Sequence, residues 1–314
     1  MASLKQLKDK IKTFNDFTKV VNIQKIAVMK EIGEIKKVID QSFYRKIIFN
    51  NYLIDIQKKH KLFDTSIFNS EKAKIPNKRN MHFVLGNPKS DKLGEYGNKL
   101  LAEHIKNNYS IKEDLFVAIG ETLSEHLMSQ GINVVKTVPL GSDLASSIIY
   151  QRISWQLYKG YTDLMFNKAN FLYLSLTTKN VEEKNIFPFS DKKQEIDSDN
   201  FNSLGETFNI INKVKLSKVV WRKDVSAVAE RIFMLAIEMT VYKTIVEYRL
   251  SLKTRELQTL DDKEKNIKDE IQKVKLKMQT VRKEGITNEL LTSAVAFSVV
   301  GTGSSNYEEE EGIK

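Results

Sequence analysis

From residue 206 to residue 284 the chain contains neither proline nor glycine. Proline removes a backbone donor and clashes with the preceding turn, and glycine costs about 1 kcal/mol in a helix interior relative to alanine. A stretch that avoids both for so long, rich in Lys, Glu, Leu, Ile and Gln, reads as one long helix. All four prolines (Pro76, Pro88, Pro139 and Pro188) fall in the middle of the 314 residues, and the only glycine before Pro76 is Gly33. The chain therefore reads helix, mixed domain, helix, with its two ends as candidates to pair with each other.

The first helix opens on Ser3, with Gln6 three residues later, a capping-box pattern. Its apolar seam runs Leu4, Leu7, Ile11, Phe14, Val21, Val28, Ile32, Ile35 and Ile39, in the steps of three and four that a coiled-coil face requires. It is expected to continue to about Lys58. The last helix repeats more cleanly: Leu250, Leu257, Leu260, Ile267, Ile271, Val274, Met278 and Val281 fall in heptad register, with Glu264 the polar interruption. At 1.5 Å per residue, a helix from about 208 to 300 spans about 140 Å and the first helix about 80 Å. One helix must outrun the other.

Between them, strands and helices alternate. Apolar runs ending in glycine (Met81 to Gly86, Asp114 to Gly120) and the runs Ile132 to Val138 and Phe171 to Thr177 read as strands. Leu93 to Asn107, Glu121 to Ser129 and Ser142 to Asn167 read as helices, the last capped by Ser142 or Asp143. This order argues a small parallel-sheet domain with covering helices. Thr65 to Asn80 and residues 189 to 206 read as linkers. The expected fold class is α/β with long helices: an antiparallel coiled coil of the N- and C-terminal helices plus a small parallel-sheet, Rossmann-like domain. The expected divisions are a coiled-coil helix over 1–64, an α/β domain over 78–190, a second coiled-coil helix over 206–301 with its tip at 285–301, and an acidic tail over 302–314.

Little in the sequence carries catalysis. There is no cysteine, which removes disulfides, thiol catalysis and cysteine-held metals. His60, His82, His104 and His126 have no metal-ligand spacing. The segment LGNPKSDKLGEYG, with Gly94 and Gly97, fits neither the dinucleotide fingerprint nor the P-loop. Acidic residues alternate with lysine on helices, the pattern of a solvated face. The net charge of +10 favours anionic partners. The lysine-rich helices lack interleaved aromatic residues to stack on bases, which argues against nucleic acid. No apolar run reaches the length of a membrane span, and MASLKQLKDK lacks the apolar core of a secretory signal.

The end of the last helix changes character. GITNELLTSAVAFSVVGTG carries only Glu289 as a charge, and Leu290, Leu291, Ala294, Val295, Ala296, Phe297, Val299 and Val300 surround the helix instead of striping it. An apolar girdle on a helix is buried or is an interface, and burying each large side chain is worth about 1.5–3 kcal/mol. The first helix is too short to cover it, so a partner, a second copy or a membrane surface has to.

The chain opens with Ser3-Leu4-Lys5, Leu7-Lys8, Lys10-Ile11 and Thr13, continues with Lys19-Val20 and Lys25, and near its other end Arg282, Ile286, Thr287, Glu289 and Leu290 form the pattern R-x-x-x-I-T-x-E-L. In these residues both ends resemble the gamma subunit of F-type ATP synthases, the first set following the family's opening and later lysine positions and the second its C-terminal pattern. Gln24 stands where the family has methionine, Lys283 where it has glutamine, and Asn87 to Lys92 replace its Asp-Arg-Gly-Leu-Cys-Gly-Gly stretch. The tail GTGSSNYEEEEGIK runs past the family's usual end. Divergent gamma-like chains also belong to F-like ATPases of wall-less bacteria, some linked to motility.

The resemblance implies a non-catalytic rotor shaft, one per hexamer of alternating catalytic and noncatalytic subunits, with epsilon-like or membrane-ring subunits as further partners. ATP, ADP and Mg would lie on those partner subunits, with no cofactor on this chain. The implied location is cytoplasmic, at the inner face of the cell membrane through the complex. Residues implied to meet the hexamer are Lys19, Gln24 and Lys25 on the first helix, and Arg282, Lys283, Thr287, Glu289, Leu290, Val295 and Phe297 on the last. The competing expectations are a self-associating coiled-coil adaptor and a nucleic-acid binder.

Overall fold

The computed structural model describes residues 3–63, 67–68, 79–87, 92–139, 147–175, 180–194 and 225–303. Two compact units make up the chain: Met1–Met29 with Glu256–Lys314, and Lys30–Arg255. The division cuts both long helices, α1 (Leu4–His60) and α5 (Val225–Gly303). The first part of the helix expected from 206, together with the Ser142 or Asp143 cap, lies outside the described residues.

The unit spanning Lys30–Arg255 holds a five-stranded sheet: β1 (Asn80–Leu85), β2 (Leu115–Ile119), β3 (Val134–Val138), β4 (Lys168–Leu174) and β5 (Val181–Phe187). The order is β3-β2-β1-β4-β5. The first four strands are parallel, as expected; β5, which the sequence reading did not assign, adds antiparallel to β4. Its sequence, VEEKNIF, is polar through its middle because it is an edge strand with those residues largely exposed.

Period-two alternation builds three layers. Met81, Phe83, Leu85, Val117, Ile119, Phe171 and Tyr173 face one core with α1, α4 (Ser147–Thr162) and the start of α5, through Leu53, Ile153, Leu157, Phe233, Ile237, Val241 and Tyr248. Val84, Phe116, Ala118, Leu172 and Leu174 face the other with α2 (Lys92–Asn108) and α3 (Glu121–Ser129), through Leu101, Ile105, Leu123 and Leu127. This is the expected α/β arrangement.

The fourth strand runs Lys168–Leu174, not Phe171 to Thr177, and two further boundaries and both expected linkers differ from the sequence reading for local reasons. Gly131 takes φ 76° after α3, and Ile132 N–H donates to Leu127 O at 3.0 Å. Ile132 is thus spent in a helix C-cap, and β3 begins at Val134. α4 stops at Thr162, not near Asn167, because Leu164 adopts φ 54° and Met165 N–H closes back onto Gly160 O at 2.8 Å. The glycine that usually marks such a stop is absent. Part of each expected linker is anchored: Ile67 is fully buried, and Phe189 N–H donates to its carbonyl at 2.9 Å.

Candidate partner interface

In the unit formed by Met1–Met29 and Glu256–Lys314, α1 and α5 pair through the expected seam. Leu7, Val21 and Val28 are buried on α1, as are Leu260 and Val274 on α5, while Ile11, Phe14, Ile267, Ile271, Met278 and Val281 are half-buried. The helices run antiparallel: Lys25 meets Asp261 and Glu264, whereas Lys10, nearer the start of α1, acts on Glu270, further along α5. Ser3 and Gln6 form the expected capping box, with Ser3 N–H donating to Gln6 Oε1 at 2.9 Å and Gln6 N–H to Ser3 Oγ at 3.3 Å.

The polar interruption Glu264 is the centre of an ion cluster. Lys25 Nζ lies 2.6 Å from both Glu264 Oε2 and Asp261 Oδ1, and Lys268 Nζ lies 2.5 Å from Glu264 Oε1. Hydrogen bonds from Lys25 and Lys268 hold the Glu264 carboxyl down at about 2, and those to Asp261 and Glu264 push the Lys25 ammonium up. Charge-assisted contacts of this kind are short and directional.

The half-buried seam ends at Val281, and every described side chain of α5 from Arg282 to Ala296 is exposed. Ile286, Leu290 and Leu291 are bare, Leu290 at 66%. The polar side chains between them fold back on the helix: Thr287, Thr292 and Ser293 donate to the carbonyls of Lys283, Asn288 and Glu289 at 2.8–2.9 Å. Such back-bonding spends each hydroxyl proton on the helix and leaves its oxygen as an acceptor. Val295 is also exposed; the Phe297 side chain lies outside the described residues.

A second apolar surface was not singled out from the sequence. Phe17, Val20, Ile23, Ile26 and Met29 on α1 are all exposed, Ile23 and Ile26 at 68% each. Steps of three at 100° per residue carry them around the outside of the helix, away from the seam. The signal was present: residues 20–29 (VVNIQKIAVM) hold more apolar side chains than one seam can accept.

The implied contact residues fall into two groups. Lys19 and Gln24 are exposed, Lys19 pairing with Asp16 at 2.9 Å, whereas Lys25 is held inside the seam. Arg282, Lys283, Thr287 and Glu289 are exposed on α5. The structure does not bring the groups together. Lys25 sits opposite Glu264, and Arg282 follows Glu264 by 18 positions, about 27 Å of helix.

In the other unit, the crevice where strand order reverses between β1 and β4 is the usual ligand position of such sheets. Among the described residues it is occupied from within. Tyr248 of α5 is fully buried, its hydroxyl 2.9 Å from Gly86 O and 3.1 Å from Asn87 Oδ1, its ring 5.6 Å from that of Tyr173. Asn98 locks the same turn, accepting from Asn87 N–H at 2.7 Å. Gly97, one of the two glycines of the loop-like segment, is needed for close packing, since an added Cβ would collide with the Asn87 amide. Among the described residues no group of His, Asp or Glu is placed to hold a metal ion, and no helix is long and apolar enough to cross a membrane.

These features define a class of protein: a long antiparallel helix pair with apolar outer surfaces, and a three-layer α/β unit whose crevice, among the described residues, is occupied by Tyr248. No family model and no curated protein matches the chain. Among solved structures it is similar to a rotor chain of the Euglena gracilis mitochondrial ATP synthase, with a TM-score of 0.44 and 11% identity over 90% of this chain and 98% of that one. It is also similar to a chain of the Tetrahymena thermophila mitochondrial ATP synthase central stalk and c-ring, with a TM-score of 0.47 and 12% identity over 77% of this chain and 98% of that one.

Proposed function

We propose that this chain is the central rotor shaft, a gamma-like subunit, of an F-type rotary ATPase. The observation that carries the reading is the bare apolar end of α5, which runs past the part of α5 paired with α1 and bears Arg282, Ile286, Thr287, Glu289 and Leu290 on its exposed surface. Apolar side chains that leave the helix pair's own seam need an enclosing partner. A ring with an apolar hole suits a rotating tip, because such a bearing has few directional bonds to break at each step.

In this reading the catalytic and noncatalytic subunits of the hexamer bind ATP, ADP and Mg, and the shaft is not an enzyme. Arg282, Lys283, Thr287 and Glu289 meet the moving lobes of the catalytic subunits at one level, and Lys19 and Gln24 at another. An asymmetric shaft biases chemically identical sites toward different conformations, and the coupling is reciprocal: nucleotide state turns the shaft, and shaft angle sets nucleotide affinity. Lys25 serves differently, tying α1 to α5 so that the pair turns as one body. The filled crevice at Tyr248 supports a structural role for the α/β unit.

Affinity purification of the full chain tests the proposal. Recovery of a six-membered ATPase ring with one copy of this chain per ring is the expected result. Recovery of no ATPase subunit, or of three copies per ring, overturns it. A stable dimer of the isolated chain that ignores the ring identifies the self-associating adaptor instead.

A further inference from the structure

Within the unit Lys30–Arg255, β3 is a terminal strand of the sheet, with β2 on one side and no strand on the other among the described residues. Lys136 pairs in register with Val117, and Val138 with Ile119, so both side chains stand on the sheet face that shares its core with α4. Gly120 N–H donates to Val138 O at 2.9 Å, which turns the backbone groups of Val138 toward β2. Successive residues of a strand alternate, so the N–H and C=O of Thr137 point out of the open edge. α4 spends Ile149, Ile153 and Leu157 on the core and leaves Arg152 and Trp155 exposed. Between this strand and this helix runs a groove of about 500 Å³, lined by Lys136, Thr137, Arg152 and Trp155 with the Gln151 and Gln156 amides beside them.

The groove is charged one way and apolar at one point. Lys136 and Arg152 are both exposed, and neither has an ion pair among the described residues. The lining contains no carboxylate. Trp155 is 53% exposed, touched on one side by Tyr158 with ring centroids 5.9 Å apart. A side chain with so much apolar area to bury is enriched at interfaces, where its ring finds the cover it lacks within the chain. A second copy of this edge is a poor occupant: lysine on an edge strand opposes pairing with an identical edge, because like charges then face each other. The same cations favour a strand that carries carboxylates.

We propose that this groove docks an extended acidic segment of a partner protein, laid along β3 with carboxylates on Lys136 and Arg152 and an apolar side chain on Trp155. A peptide added to a sheet edge takes affinity from main-chain hydrogen bonds and specificity from alternate side chains. Thr137 supplies the main-chain donor and acceptor, and the two cations select the charge. Tryptophan and arginine anchor interfaces more often than lysine does, so Trp155 and Arg152 carry more of the binding than Lys136.

The test is fluorescence anisotropy of a fluorescein-labelled peptide titrated with the full chain. The probe, Thr-Glu-Thr-Val-Thr-Glu-Thr, places Glu, Val and Glu on one side when extended; a basic probe replaces both Glu by Lys. Saturable binding of the acidic probe and none of the basic one is expected. Trp155→Ala should weaken binding at least about fivefold, the scale of an interface anchor. Arg152→Gln should weaken it about threefold, the scale of an exposed ion pair, and Lys99→Met, exposed on α2, should leave it unchanged. Two further acidic probes need no variant: one is N-methylated on its Thr residues, the other on Glu and Val. An added strand turns only one of these sets toward β3, so one probe should lose binding and the other keep it. Absence of saturable binding, equal binding of acidic and basic probes, unchanged affinity in Trp155→Ala, an equal effect of the two methylations, or tighter binding of a short oligothymidylate than of the acidic probe overturns the assignment. Self-association of the full chain that Trp155→Ala abolishes also overturns it, since a second copy is then the occupant. None of these outcomes depends on recovery of an ATPase ring.

Discussion

Lys25 and Glu264, 239 positions apart in sequence, meet at 2.6 Å across the seam of the helix pair. An ion pair at a seam position fixes register, because sliding either helix by a turn separates the charges and buries one without its partner. Glu264 is held at about 2, first by its hydrogen bond to Lys25 and then by that to Lys268. Its folded value lies below the ordinary 4.5, so the stabilisation is complete above that value and is lost as pH falls from 4.5 toward 2. Circular dichroism melts across this window should show the helix pair weakening in the unmodified chain. In Glu264→Gln the contribution of this carboxyl should disappear from the profile, with a lower melting temperature at neutral pH.

The exposed apolar residues make a prediction of opposite character. Ile23→Ser with Ile26→Ser, and separately Leu290→Ser with Leu291→Ser, remove side chains that pack little within the chain. Urea unfolding of the isolated protein should change by no more than about 0.5 kcal/mol per site, the usual range for surface substitutions. Under the proposed shaft role, capture of an ATPase ring should weaken in both pairs. If only the tip pair weakens capture, the outer surface of α1 lies outside the proposed bearing.

The seam of α5 was legible because heptad spacing reports on a single packed interface, and Glu264 stood out as its one polar member. The outer residues Phe17, Val20, Ile23, Ile26 and Met29 were not legible, because seam and non-seam apolar residues share one continuous run. Lys25 was read as a contact for a partner; it stands four residues after seam Val21 and three before seam Val28, but a lysine there reads as solvated until its acidic mates, more than 230 positions away, are known. β5 was missed because it is an edge strand whose middle, Glu183, Lys184 and Asn185, is exposed and polar, so hydrophobic alternation is weak. The end of α4 was missed because Leu164, not glycine, takes the left-handed conformation there.

Tyr248 ties α5 to the carboxyl end of β1. Its one hydroxyl proton is shared between Gly86 O and Asn87 Oδ1, and no water reaches the buried ring. Tyr248→Phe keeps the packing and leaves both acceptors without this donor. Unfolding in urea should show a loss of about 1–3 kcal/mol, the cost of leaving a buried polar group unsatisfied. Tyr248→Leu should cost more, since the contact with the Tyr173 ring goes as well.

His82 gives the molecule a second pH dependence, in a different range. The imidazole is 1% exposed, stacked on Phe116 at 5.3 Å and tilted against Tyr109 at 4.5 Å, and its Nε2 lies 3.6 Å from Asp114 Oδ2, beyond hydrogen-bond distance. Burial lowers its pKa, and the Asp114 charge only partly offsets that. The folded state therefore resists protonation while the unfolded chain takes up a proton near 6.5. Stability is full above 6.5 and declines as pH falls below it, until the folded ring also protonates. Asp114 cannot rescue the ring by moving closer, because its Oδ1 already accepts from the Asn80 backbone and side chain at 3.1 Å. His82→Phe should flatten urea-derived stability between pH 7 and pH 5 while leaving the acid transition assigned to Glu264 in place. A slope that persists unchanged in His82→Phe would show that the proton is taken up elsewhere.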